Sequence, residues 1–124
     1  MFKPGHLHRQ RAPGVTDVPD YVVDVYYEVQ EEPGEGLLLC LTMQGVVDGR
    51  AFTEQVRLHR DTAFNFAAVL GRLAGRYGLP RNASPIMREH AEYDAMYRDI
   101  RERLGAVSGE PVDFAHLEQD LRQL

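Results

Sequence analysis

Leu58-His59-Arg60-Asp61-Thr62-Ala63-Phe64-Asn65-Phe66-Ala67-Ala68-Val69-Leu70-Gly71-Arg72-Leu73-Ala74-Gly75-Arg76-Tyr77-Gly78-Leu79-Pro80 is the stretch in which the hydrophobic period lengthens from that of a strand to that of a helix. Phe66, Leu70, Leu73 and Tyr77 fall on one helical stripe, with Ala63, Ala67 and Ala74 beside it and Phe64, Ala68 and Val69 widening it. A helix this apolar needs cover on more than one side. Asp61 is placed to cap its start, where a carboxylate accepts from unpaired backbone N–H groups and suits the positive end of the dipole. Gly78 can take the left-handed position after its last turn, and Pro80 forbids continuation.

Upstream, the pattern is that of strands. Tyr21, Val23, Val25, Tyr27 and Val29 alternate with Val22, Asp24, Tyr26, Glu28 and Gln30, as a strand with one buried face requires. Glu31 to Gly36 supplies a Pro- and Gly-containing turn, and Leu37 to Val47 forms the next strand. Asp48-Gly49 is then the strongest short hairpin signal in the chain, a two-residue type I′ turn. It sets Val47 opposite Arg50, and counting back sets Leu39 opposite Leu58, Leu41 opposite Val56, Met43 opposite Glu54 and Gly45 opposite Phe52. This face is apolar except for Glu54, while Cys40–Arg57, Thr42–Gln55 and Gln44–Thr53 line the other; a slip of one residue would invert both strands.

Downstream, Ser84-Pro85 reads as a helix start. Ile86, His90, Tyr93, Tyr97, Ile100 and Leu104 continue it as a stripe, and Gly105 closes it. Asp113 caps a last short helix whose stripe is Phe114, Leu117, Leu121 and Leu124. Before the strands, residues 1–19 are broken by Pro and Gly, with His6 to Gln10 alternating weakly as an edge strand. The order implies one α+β domain over residues 1–124: a three- to four-stranded antiparallel meander, with three strands in 20–59 and that edge segment as the fourth. Three helices in 60–124 pack on one face of it.

A chain of 124 residues can bury a core without staples. Its net charge of −5 argues against nucleic acid as a partner. No apolar run is long enough to span a membrane and no secretory leader opens the chain, so a cytoplasmic location is expected. The single Cys40 excludes an internal disulfide and any multi-cysteine metal cluster. It sits mid-strand, where a small space-filling residue is the better reading than a reactive thiol.

Serine occurs only at Ser84 and Ser108, in neither case within a nucleophile elbow. No glycine-rich phosphate loop precedes a helix. His6 and His8 are two apart, so on a strand both point the same way, a spacing that suits metal ligands. No third ligand is positioned by sequence, so no metal or other cofactor is expected and two exposed histidines are the better reading. His90 lies within an apolar stripe near Glu89, Tyr93 and Asp94, the raw material of a general base, although a core histidine satisfied by a neighbour produces the same pattern. Glu54, an acid on the core face, completes a candidate ligand site with His90 and Tyr93. On the outer face, Val22, Tyr26, Leu38 and Cys40 form a candidate interface. The alternating acids and arginines from Arg98 to Arg103 read as a solvated helix face with pairs such as Asp99–Arg103.

Three blocks go further: Phe2-Lys3-Pro4-Gly5-His6-Leu7-His8, Leu58-His59-Arg60-Asp61-x-Ala63-Phe64-Asn65-Phe66-Ala67, and Glu92-Tyr93-Asp94-x-Met96-Tyr97-x-Asp99-Ile100-Arg101. In these the chain resembles an uncharacterised family of small bacterial proteins, a domain of unknown function, over nearly its whole length. The resemblance implies a stand-alone bacterial cytoplasmic domain and transfers no catalytic residue. The sequence therefore points to a non-enzymatic association domain, a homodimer or the binder of a protein partner. The alternative is a small-ligand-binding domain or minor enzyme with its pocket near Glu54, His90 and Tyr93.

Overall fold

The computed structural model describes residues 1–11, 19–79 and 89–124. Five strands, β1 (Phe2–Lys3), β2 (His6–Gln10), β3 (Tyr21–Glu32), β4 (Gly36–Val47) and β5 (Arg50–His59), form one antiparallel sheet in sequence order. Three helices follow, α1 (Phe66–Gly75), α2 (His90–Leu104) and α3 (Phe114–Leu121), with a 3-10 turn at Ala63–Asn65 leading into the first. The class is α+β as expected, but the sheet has five strands where three to four were predicted. The additional strand, β1, is two residues long and carries no alternation of its own to read.

The β4–β5 register is the one that Asp48-Gly49 dictates, with Val47 opposite Arg50, Leu41 opposite Val56 and Leu39 opposite Leu58. Asp48 (φ 50) and Gly49 (φ 80) both take the positive dihedrals of a type I′ turn. One face of the sheet carries Leu7, Val23, Val25, Leu39, Leu41, Met43, Val56 and Leu58, which join Phe66, Leu70, Leu73, Met96, Ile100 and Leu104 of the helices in one core. Phe66 is its centre. Fully buried, it stacks on Tyr93 of α2 at 5.8 Å and lies 6.2 Å from Tyr97, so α1 and α2 are locked together over the sheet.

Two helix readings need correction. The central helix is shorter than Leu58–Pro80 suggests and has no side-chain cap, because the Asp61 carboxylate is turned away to α3. The Ser84 start and Ile86 lie outside the described residues. Within them Glu89 is extended and α2 begins at His90, closed as expected by Gly105 in the left-handed conformation (φ 62).

The third helix runs along the free side of β5. The Gln123 side chain accepts from the Arg57 N–H at 2.9 Å and donates to the Arg57 carbonyl at 2.6 Å, replacing the partner strand that β5 lacks there. Its buried residue is Asp120. Phe114 (80% exposed) and Leu121 (40%) of the expected apolar stripe face solvent. No helix among the described residues is long and apolar enough to cross a membrane.

The opposite end of the molecule is tied by charge. Arg9 of β2, almost wholly buried, pairs with Glu92 of α2, which also meets the Met1 ammonium at 2.7 Å. Burial alone would raise the Glu92 carboxyl, but these two cations outweigh it and hold it at about 2, against an ordinary 4.5. As pH falls, the unfolded glutamate therefore takes its proton first. Stability contributed by this cluster is complete above pH 4.5 and drains away down to about pH 2. Because the ammonium is exposed and screened, Glu92→Gln should lower stability at neutral pH by roughly 2 kcal/mol. Urea midpoints of the two proteins should converge on acidification through that window; a gap that stays constant would refute the assignment.

Candidate functional site

The four residues that join the sheet to the helices, His59, Arg60, Asp61 and Thr62, all direct their side chains to the C-terminal quarter of the chain. His59, on the last position of β5, is buried between two acids. Its Nδ1 lies 2.8 Å from Asp120 Oδ1 and its Nε2 lies 2.6 Å from Glu35 Oε2, on the β3–β4 turn. Burial pulls the imidazole down, but the two carboxylates outweigh it and hold it above its ordinary value. The Thr62 hydroxyl donates to Asp120 Oδ2, which also receives the His59 backbone N–H at 3.2 Å.

Asp61 accepts from the Asp113 N–H at 2.8 Å and meets His116 Nδ1 at 2.9 Å. Burial acts to raise the Asp61 carboxyl, and these two contacts reverse the shift and hold it below the usual range. The His59 and His116 rings stack in parallel, 4.0 Å apart. Arg60 donates from Nε to the Leu104 carbonyl at 2.7 Å, from Nη2 to the Gly105 carbonyl at 2.5 Å, and bidentately to Glu110. A guanidinium at the last carbonyls of α2 suits the negative end of that helix.

Arg60 thereby pins residues 105–112 as a loop over the end of α2, and a cavity of about 210 Å³ opens beneath it. Phe64, Phe66, Ile100, Leu104, Val107 and Val112 give it apolar walls; Arg101, Tyr97 and Ser108 supply polar groups, and Arg60, Glu110 and Asp61 also line it, the first two paired with each other and Asp61 with His116. Arg101 reaches the Ser108 hydroxyl at 3.1 Å and the Tyr97 hydroxyl at 3.5 Å, and no carboxylate of the described residues pairs with it. An apolar cavity with one such guanidinium and two hydroxyls is the usual composition of a site for a small anionic molecule.

Residues 1–117 match the family described as domain of unknown function (DUF5064). The chain belongs to this family. It is also similar to an uncharacterised protein from Pseudomonas aeruginosa known from a solution structure: 42% identity, 96% of this chain and 94% of that one covered, TM-score 0.73. Among curated proteins, none matches the chain in sequence. The family carries no assigned activity, so the function of this member is unknown and must be argued from its own residues.

In this DUF5064 member the expected site residues are dispersed. Glu54 accepts from the Tyr77 hydroxyl at 2.5 Å, with Arg76 at 3.5 Å. His90 is exposed as the first residue of α2 and bonds no other described side chain, while Tyr93 packs on Phe66. On the outer sheet face Val22 (44%) and Tyr26 (40%) are exposed, but Leu38 is buried at 5% and Cys40 is half-buried. Exposed Val46, directly opposite Val22, extends that patch instead. His6 and His8 do point the same way, and both hold Asp24 Oδ1, at 2.7 and 2.8 Å.

The residues that sequence reasoning passed over are Arg101 and the polar run 59–62. A signal for Arg101 was present. Arg98 and Arg103 have acids four positions away, whereas Arg101 has Tyr97 and Gly105.

Proposed function

We propose that the protein is a small-molecule-binding domain of the bacterial cytoplasm whose ligand is an organic acid: a carboxylate on a short apolar or aromatic body. The observation that carries this reading is the Arg101 guanidinium, set beside the Tyr97 and Ser108 hydroxyls at the mouth of an apolar cavity. At about 210 Å³ the cavity is smaller than the roughly 300–1,000 Å³ of drug-sized sites, so it suits a compact ligand. The cavity's two carboxylates are already engaged, Asp61 with His116 and the Asp113 N–H and Glu110 with Arg60, which favours binding over turnover.

Benzoate and hexanoate, titrated into the labelled protein and followed by amide chemical shifts, test it. Shifts should cluster at residues 97–110. Arg101→Gln should weaken binding by roughly thirtyfold, the equivalent of about 2 kcal/mol for a charge-assisted hydrogen bond, while the melting temperature holds. Shifts scattered over the surface, or an unchanged affinity in Arg101→Gln, would overturn the reading.

A second reading has its own support. Val22 and Val46, paired across β3 and β4, lie with Tyr26 on the outer sheet face and leave an apolar patch in solvent. Association of two copies, or with a protein partner, through that patch would be compatible with ligand binding on the other side. Light scattering on a Val22→Glu/Val46→Glu variant would separate a dimer from a monomer.

A further inference from the structure

We infer that Glu35, His59 and His116 form a binding site for a divalent first-row transition ion of the zinc type. It clips the β3–β4 turn, the end of β5 and α3 together. The inference does not rest on the cavity's ligand, although Asp61 borders both places.

Among the described residues, these three bring one ligand atom each to within 4.8 Å of one another. Zinc takes imidazole nitrogen and carboxylate oxygen at about 2.0–2.2 Å, so donors around one ion stand a little over 3 Å apart. Glu35 sits on an exposed turn and His116 is only half-buried, so both can move toward an ion beside His59; because the two rings are parallel, His116 must turn out of the stack for its Nε2 lone pair to share that ion. His59 is held in place by the fold.

The supporting shell gives the stronger argument. Each histidine is anchored through Nδ1 by its own carboxylate, His59 by Asp120 at 2.8 Å and His116 by Asp61 at 2.9 Å. That arrangement fixes the tautomer that leaves Nε2 as a lone-pair donor, and it is how histidines are oriented around metals in general. On His59 this nitrogen meets Glu35 at 2.6 Å, and on His116 its nearest acid is Asp113, at 3.8 Å.

Charge points the same way. Four carboxylates, Glu35, Asp61, Asp113 and Asp120, surround two imidazoles. The guanidinium next in sequence, Arg60, is spent on Glu110 and the end of α2. A divalent ion would offset this excess. Two nitrogens and one oxygen suit zinc and its neighbours better than the oxygen-seeking Mg²⁺ or Ca²⁺. Three protein ligands leave one position for water.

The test uses the full chain, stripped with chelator and titrated with Zn²⁺ by calorimetry, with native mass spectrometry for stoichiometry and Co²⁺ absorption for geometry. One ion per chain is expected, with a rise in melting temperature. Glu35→Gln, on an exposed turn where the fold is not at stake, should weaken binding at least tenfold, as should His116→Gln. Asp61→Asn, acting through His116, should weaken it by about ten- to a hundredfold. A His6→Gln/His8→Gln variant should bind as the parent does. Absence of stoichiometric binding would overturn the inference. So would undiminished binding in both Glu35→Gln and His116→Gln, or loss of binding in the His6/His8 variant alone.

Discussion

Asp120→Ala is expected to destabilise the protein by about 3–5 kcal/mol, the range for breaking a buried pair by removing one partner. Asp120 is 4% exposed, and its two oxygens receive His59 Nδ1, the His59 backbone N–H and the Thr62 hydroxyl. Truncation leaves these buried donors facing a void, and each unmet donor costs about 1–3 kcal/mol before relaxation. It also frees α3 from the sheet at the point where the helix is most deeply seated. Urea unfolding is the measurement, and Asp120→Asn provides the graded comparison, since its amide oxygen keeps one acceptor and should lose about half as much. A loss below about 1 kcal/mol for the alanine variant would mean that the cluster is not structural.

Gly45→Ala should rival it, for a different reason. Gly45 lies in β4 where the backbone of β3 comes close: a Cβ built there would stand 2.0 Å from the Val22 carbonyl oxygen and 2.9 Å from the Val23 Cα. Both are main-chain atoms of the sheet's central pairing, so no rotamer change relieves the contact. Overpacking of this kind costs typically 1–3 kcal/mol and more where the backbone must move. We therefore expect a loss of about 3 kcal/mol or greater, set against the small gain that alanine normally brings to a strand. Chemical denaturation and an amide fingerprint spectrum would show it, with shifts concentrated at residues 21–24 and 44–47. An alanine variant within about 1 kcal/mol of the parent would show that the two strands separate at little cost.

The legible part of this fold is the part in which neighbours in sequence are neighbours in space. Asp48-Gly49 with alternating apolar residues determined the β4–β5 register residue by residue, and Tyr21 to Gln30 announced β3 with the same clarity. The reason for Gly45 was hidden, since it lies in the distance between two backbones. Helix ends were misread where a side chain had a distant partner. Asp61 is an excellent cap in isolation, yet His116 and the Asp113 N–H compete for it and win. The last helix was misread for the same reason: Phe114 and Leu121 define an apolar stripe, but the face that docks carries His116 and Asp120, which only the polar run His59 to Thr62 makes sense of.

Of the candidate ligand residues, His90 stands apart because of where its helix starts. Placing His90 inside the stripe of a helix that starts at Ser84 made it a neighbour of the core, whereas α2 starts at His90 and leaves it in solvent. The cavity draws on residues 60–66 and 97–112, segments no local pattern connects. Arg101 was absorbed into a charged run that reads as solvated, and its lack of an acidic neighbour was the one clue.

The Gln123 and Asp120 contacts with β5 carry a last consequence, for how the sheet ends. An antiparallel sheet has two open edges, each a template on which another chain can pair. Here β1 limits one edge by being two residues long, and on the other edge side chains of the C-terminal segment take up the backbone groups of Arg57 and His59, at the end of β5. Residues 113–124 thus serve as a guard against self-templated strand addition. Cleavage or unlatching of that segment would expose β5 as a sticky edge long before the core itself came apart.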